Sequence, residues 1–238
     1  MVFFFWMFRF FGKNTAKTLD KTPEIFNLGK DTSKTTVLLI AGTHGNEPAG
    51  AEYLTTLVER FQTKKIDCDI KVIVIPKVNK LGLIQNIRKV PDTTAWDLNR
   101  AYPKPGHQEV REIIKTYLHL IDHADLVVDL HEAHRYRISD SRTKGSGIYS
   151  NGVGNSSTIV QKMVQNVNKI IDNQDHHFMT AQIKPIPGSL RYYCIKHKIP
   201  YILIETTRIE PLPTRLEKLH NIITTLFVFI RHGGISIK

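Results

Sequence analysis

Four short apolar runs constrain this chain more than any other feature. They are Val37–Ala41 (VLLIA), Val72–Ile75 (VIVI), Leu126–Leu130 (LVVDL) and Tyr201–Ile204 (YILI). Each is apolar at nearly every position rather than at every second one, and β-branched residues are frequent. Runs of this kind suit strands buried on both faces. The stretches between them have a different period. Glu47–Phe61 opens with Pro48 and repeats apolar residues at helical spacing. Gln108–Ile121 sets Val110, Ile113, Ile114, Tyr117, Leu118 and Ile121 on one stripe. Ser157–Ile171 does the same with Ile159, Val160, Met163, Val164, Val167, Ile170 and Ile171, and Leu212–Ile230 reads as a last helix. Strands alternating with helices predict a layered α/β fold.

A chain of 238 residues can bury one such core. The sequence divides into residues 1–34, an apolar segment and an entry loop, and residues 35–238, a single domain. Hydrophobic residues make up 41% and charged residues 23%, which excludes a disordered, collagen-like or multi-span membrane chain. Two cysteines exclude a disulfide framework and a cysteine-rich zinc module, and fit a reducing, cytoplasmic setting. The net charge of +11 attracts anions. No dense basic block or nucleic-acid signature accompanies it, so the expectation is a basic surface without a specific nucleic-acid partner.

Val2–Phe11 reads VFFFWMFRFF. It is about half a bilayer span, and Arg9 interrupts it. It lacks the basic start and small-residue cleavage site of a secretory signal. Three readings stand: a core strand or packing segment, an interfacial membrane anchor, and a mis-assigned start or poorly ordered tail.

Polar groups follow the carboxyl ends of the apolar runs, where α/β sheets collect ligands. Gly42-Thr43-His44-Gly45-Asn46-Glu47 follows VLLIA, His131 follows LVVDL, and Glu205 follows YILI. His44 and Glu47 lie on a turn between glycines, and His131 completes two histidines and a carboxylate. That is a donor set of catalytic zinc, which keeps a further position for water. His131 and His134 are three apart at a strand end, which rejects the helical H-E-x-x-H reading. Asp129 shares a strand face with His131 and can hold its imidazole. Asp97-Leu98-Asn99-Arg100 lies on a long loop with Arg88 upstream. Two arginines and an asparagine amide there suit a carboxylate clamp.

GTHGNEPAG, DLNRAYP, DLHEAH and ILIETT, in this order, resemble the zinc carboxypeptidase superfamily, and within it the succinylglutamate desuccinylase/aspartoacylase branch. The resemblance implies a three-layer mixed sheet of about eight strands between helices. It implies one Zn2+ per chain, held by His44, Glu47 and His131. It implies Glu205 as catalytic base, Arg88 polarising the scissile carbonyl, and Asn99 and Arg100 on the substrate carboxylate. No motif places the family's substrate-gripping tyrosine; Tyr149 and Tyr192 are the candidates. Aspartoacylase-type enzymes carry a further β domain after the base, whereas Thr206–Lys238 reads as one helix and a tail. The expected activity is therefore carboxypeptidase-like cleavage of an amide next to a free carboxylate, in a small and anionic peptide or acyl-amino acid. Deacylation of N-acyl-amino acids is the alternative within enzymes. A non-catalytic binding module and a nucleic-acid-binding protein are the alternatives outside them.

Overall fold

A computed structural model describes residues 21–64, 69–91, 96–102, 107–137 and 145–231. The expectation for Val2–Phe11 lies outside these residues. The four apolar runs form strands β2 (Thr36–Ala41), β3 (Lys71–Ile75), β4 (Leu126–Ala133) and β6 (Tyr201–Thr207). They pair in parallel in the order β3-β2-β4-β6. Two short antiparallel strands close the edges, β1 (Phe26–Gly29) on β3 and β5 (Gly147–Ser150) on β6.

The sheet has six strands among the described residues, not about eight. A further partner reaches β5 through a single bridge, Gly147 to Met179, and does not extend into a strand. The stretch read as a loop before residue 35 contains β1. Of its four residues only Leu28 is buried, so no apolar run marks it.

Both sheet faces are covered, as continuous apolar runs require. Val37, Leu39, Val128, Leu130, Ile202 and Ile204 face α1 (Pro48–Lys64), α5 (Ser156–Asn168) and α7 (Leu212–Arg231). Leu38, Ile40, Val127, Tyr201 and Leu203 face α3 (Gln108–Lys115), α4 (Leu118–His123) and α6 (Leu190–Lys196). The stripe Gln108–Ile121 is therefore two helices, not one. Thr116 donates its hydroxyl to Ile113 O at 2.6 Å where the first ends, and Tyr117 is fully buried at the break. Among the described residues no helix is long and apolar enough to cross a membrane.

Chain order sets where a ligand fits. From β2 the chain crosses by α1 to β3 on one side, and then by α3 and α4 to β4 on the other. The two crossovers lie on opposite faces, so a crevice opens at the carboxyl ends of β2 and β4, where the strand order reverses.

Candidate metal centre and its cleft

His44 and Glu47 sit on the turn between β2 and α1, held by Glu47 N donating to His44 O at 3.2 Å. The turn packs against α2 (Lys80–Gln85). A Cβ on Gly45 would lie 1.9 Å from the Gly82 carbonyl carbon, so only glycine permits this approach. Gly45 N also donates to Arg88 O at 3.3 Å, which ties the turn to the segment carrying Arg88. Gly45→Ala is expected to push the turn off α2, costing about 1–3 kcal/mol of stability or more, measurable by urea unfolding.

His131 lies inside β4, two residues short of its end, rather than beyond it. The structure brings its Nδ1 to 2.8 Å from Glu47 Oε2 and 3.1 Å from His44 Nδ1. His44 Nδ1 is in turn 2.9 Å from Glu47 Oε1. All three residues are buried, and one donor atom from each falls within 4.8 Å of the others. This donor set fits a zinc ion. Tetrahedral Zn–N bonds put two ligand nitrogens about 3.3 Å apart, close to the 3.1 Å between the two Nδ1 atoms.

The remaining ring nitrogens meet carboxylates, the usual support for a metal-binding histidine. His44 Nε2 is 3.1 Å from Asp97 Oδ1, and His131 Nε2 is 3.0 Å from Asp129 Oδ2. Burial by itself would raise the Glu47 carboxyl; the neighbouring His131 and His44 outweigh it and hold the group well below the usual carboxylate range. Asp97 is likewise lowered, its partial burial overcome by His44, Arg88 and the Asn99 N–H. Burial depresses the His131 imidazole, yet Asp129 and Glu47 raise it well above its ordinary value. Such a concentration of buried anions around two imidazoles is an environment that favours a cation.

A cleft of about 250 Å³ opens over these groups. Glu205 lines it, half-buried, directly opposite His131 in the β4–β6 register. Arg88 donates from Nη1 to Glu47 Oε1 at 3.0 Å and from Nε to Asp97 Oδ2 at 3.3 Å. Asn99 and Arg100 form a 3-10 turn on the cleft wall, and Arg100 is exposed. Two contacts fix that turn against the start of α6: Asn99 Oδ1 accepts from Leu190 N at 3.0 Å, and Tyr102 N donates to Gly188 O at 2.9 Å.

Other expected residues are placed elsewhere. Tyr149 is fully buried in the core under α6. It donates to Gly145 O at 3.1 Å and accepts from Arg137 Nη1 at 3.4 Å, so it does not line the cleft. Alternation along β5 turns it toward α6. Tyr192 also lies off the cleft. His134 does reach the rim, beside Arg208. Glu132 points through the opposite face of β4, accepting from Ala49 N at 2.9 Å and pairing with Arg215. That excludes it from the metal cluster.

Two residues without an assigned role in the sequence also belong here. Asp97 carries the partner of His44. Arg191, 7% exposed, lines the cleft; its Nη2 donates to Ser150 O at 2.7 Å while Nε and Nη1 have no hydrogen-bond partner. Burial lowers the affinity of its guanidinium for the proton.

Residues 33–139 match the model of the succinylglutamate desuccinylase/aspartoacylase catalytic domain. No curated protein matches the sequence significantly. Among solved structures, the chain is similar to tripeptide-bound cell shape determinant Csd4 from Helicobacter pylori. The TM-score is 0.74 at 18% identity, over 88% of this chain and 56% of that one. A second Csd4 structure, bound to mDAP and described as a D,L-carboxypeptidase, gives 0.72 at 17% identity over 87% and 54%. A metallopeptidase candidate from Shewanella amazonensis gives 0.64 at 17% identity over 87% and 82%. The chain thus spans little more than half the length of Csd4. It has the zinc carboxypeptidase-like fold and, over residues 33–139, resembles the catalytic domain of the succinylglutamate desuccinylase/aspartoacylase branch.

Proposed function

We propose that this chain is a zinc-dependent hydrolase of an amide bond next to a free carboxylate, in a small peptide or an N-acyl-amino acid. One observation carries the reading. His44, Glu47 and His131 converge at one end of a cleft that also holds Glu205 and three arginines. His44 Nδ1, His131 Nδ1 and the Glu47 carboxylate would hold the metal. When bound, zinc supplies Lewis acidity and lowers the pKa of water toward ~7.

Glu205 is the general base in this reading. Its carboxylate takes a proton from the attacking water and delivers it to the leaving nitrogen. Arg88 presents N–H donors to the developing oxyanion, where preorganised donors act most strongly. Arg100 holds the substrate carboxylate by a charge-assisted pair, and Asn99 fixes the turn that carries it. Arg191 adds buried positive charge to the cleft wall and, with Arg88, Arg100 and Lys184, favours an anionic substrate. Asp97 and Asp129 orient the two imidazoles.

The Arg100 role has a direct test. Amidating the substrate carboxylate is expected to lower kcat/KM by about 1.5–3 kcal/mol, the scale of a charged hydrogen bond. Arg100→Ala is expected to erase the preference. Equal cleavage of free and amidated substrates by the wild type would contradict the clamp.

A further inference from the structure

Tyr201 opens β6, and its place in the register is opposite Val127 of β4. Its side chain is 1% exposed, and its hydroxyl donates to Asp129 Oδ2 at 2.9 Å. That oxygen lies 3.0 Å from His131 Nε2, on the ring edge away from the Nδ1 that faces Glu47 and His44. The contact is close yet outside hydrogen-bond geometry, and Asp129 Oδ1 has no hydrogen-bond partner. Asp129 is fully buried. A buried carboxylate with one oxygen unsatisfied is costly to hold in place, so its orientation depends on what grips the other oxygen. Tyr201 supplies that grip.

We propose that Tyr201 is a positioning residue of the metal centre. By holding Asp129 Oδ2 beside His131 Nε2, it fixes the ring with Nδ1 turned toward the metal site. The inference rests on the metal-dependent reading above. It gives a cleft-lining tyrosine a role behind the ligand rather than on the substrate, and it explains a polar hydroxyl in the α3, α4 and α6 core. A phenylalanine would fill that core space as well, so packing alone does not call for the hydroxyl.

Zinc affinity of the full chain, measured by competition with a chromophoric chelator, tests the proposal. Tyr201→Phe is expected to stay folded but to bind zinc about tenfold more weakly or worse, the scale of losing an outer partner of a metal ligand. Asp129→Asn should also weaken binding, and adding Tyr201→Phe to it should cost nothing more, because both act through one contact. Should Asp129→Asn fail to fold, NMR of the zinc-loaded chain provides the check: with Nδ1 on the metal, the His131 Nε2–H proton should exchange with water faster in Tyr201→Phe than in the wild type. Wild-type zinc affinity in Tyr201→Phe, additive losses in the double variant, or an unchanged exchange rate would each overturn the proposal. A wild type that binds no zinc would overturn the metal-centre reading itself, and this inference with it.

Discussion

Glu205→Gln is expected to leave fold and zinc content intact while kcat falls ~10²-fold or more. The substitution is nearly isosteric and removes only the ability to accept a proton. Glu205 stands in β6 beside His131 of β4, half-buried, with the apolar run Tyr201–Ile204 behind it. Placing a carboxylate at the end of a buried strand costs stability unless the group is satisfied or used. It is outside the His44, Glu47, His131 cluster, so its loss should not release the metal. A stopped-time assay on the zinc-loaded variant, with metal content measured on the same sample, separates the two effects. Wild-type turnover in a zinc-loaded Glu205→Gln protein would refute the base assignment.

His44→Ala and His131→Ala are expected to reduce zinc from about one per chain to near zero, since each removes one of three protein ligands. The variants should differ in stability. Ala at 131 leaves Asp129 buried with the neutral Tyr201 hydroxyl as its hydrogen-bond donor, whereas Ala at 44 leaves Asp97 with Arg88 still paired at 3.3 Å. An uncompensated buried charge is the more costly of the two. His131→Ala should therefore unfold at lower urea than His44→Ala. Elemental analysis and urea titration of both variants check this, and full zinc occupancy in either would remove that residue from the site.

The parallel centre of the sheet was legible because its strands are buried on both faces, which leaves an unbroken apolar run in the sequence. The edge strands were not. In Phe26–Gly29 only Leu28 is buried, and Gly147–Ser150 is four residues long, so neither leaves a run or a sustained alternation. The break between α3 and α4 was hidden because both bury their stripe against the same core, which preserves the periodicity across Thr116 and Tyr117. His44, Glu47, His131 and Glu205 stood out because each follows a legible apolar run, and the carboxyl-terminal parts of strands in such sheets meet at one edge. Asp97 had a signal in its place two residues before the Asn99-Arg100 pair, yet only the folded loop shows that it reaches His44. Arg191 had none. It follows Leu190 on a short helix whose burial depends on the Asn99 loop docking against its start, and no local pattern in the sequence reports that contact.

The central claim is that three converging side chains make this chain a metal-dependent amide hydrolase. The most direct measurement is hydrolysis of a panel of C-terminally free peptides and N-acyl-amino acids by the protein as isolated, after chelation, and after zinc is restored. The account predicts cleavage as isolated, loss on chelation and recovery with one zinc per chain. Cleavage that persists in a fully chelated protein would contradict it.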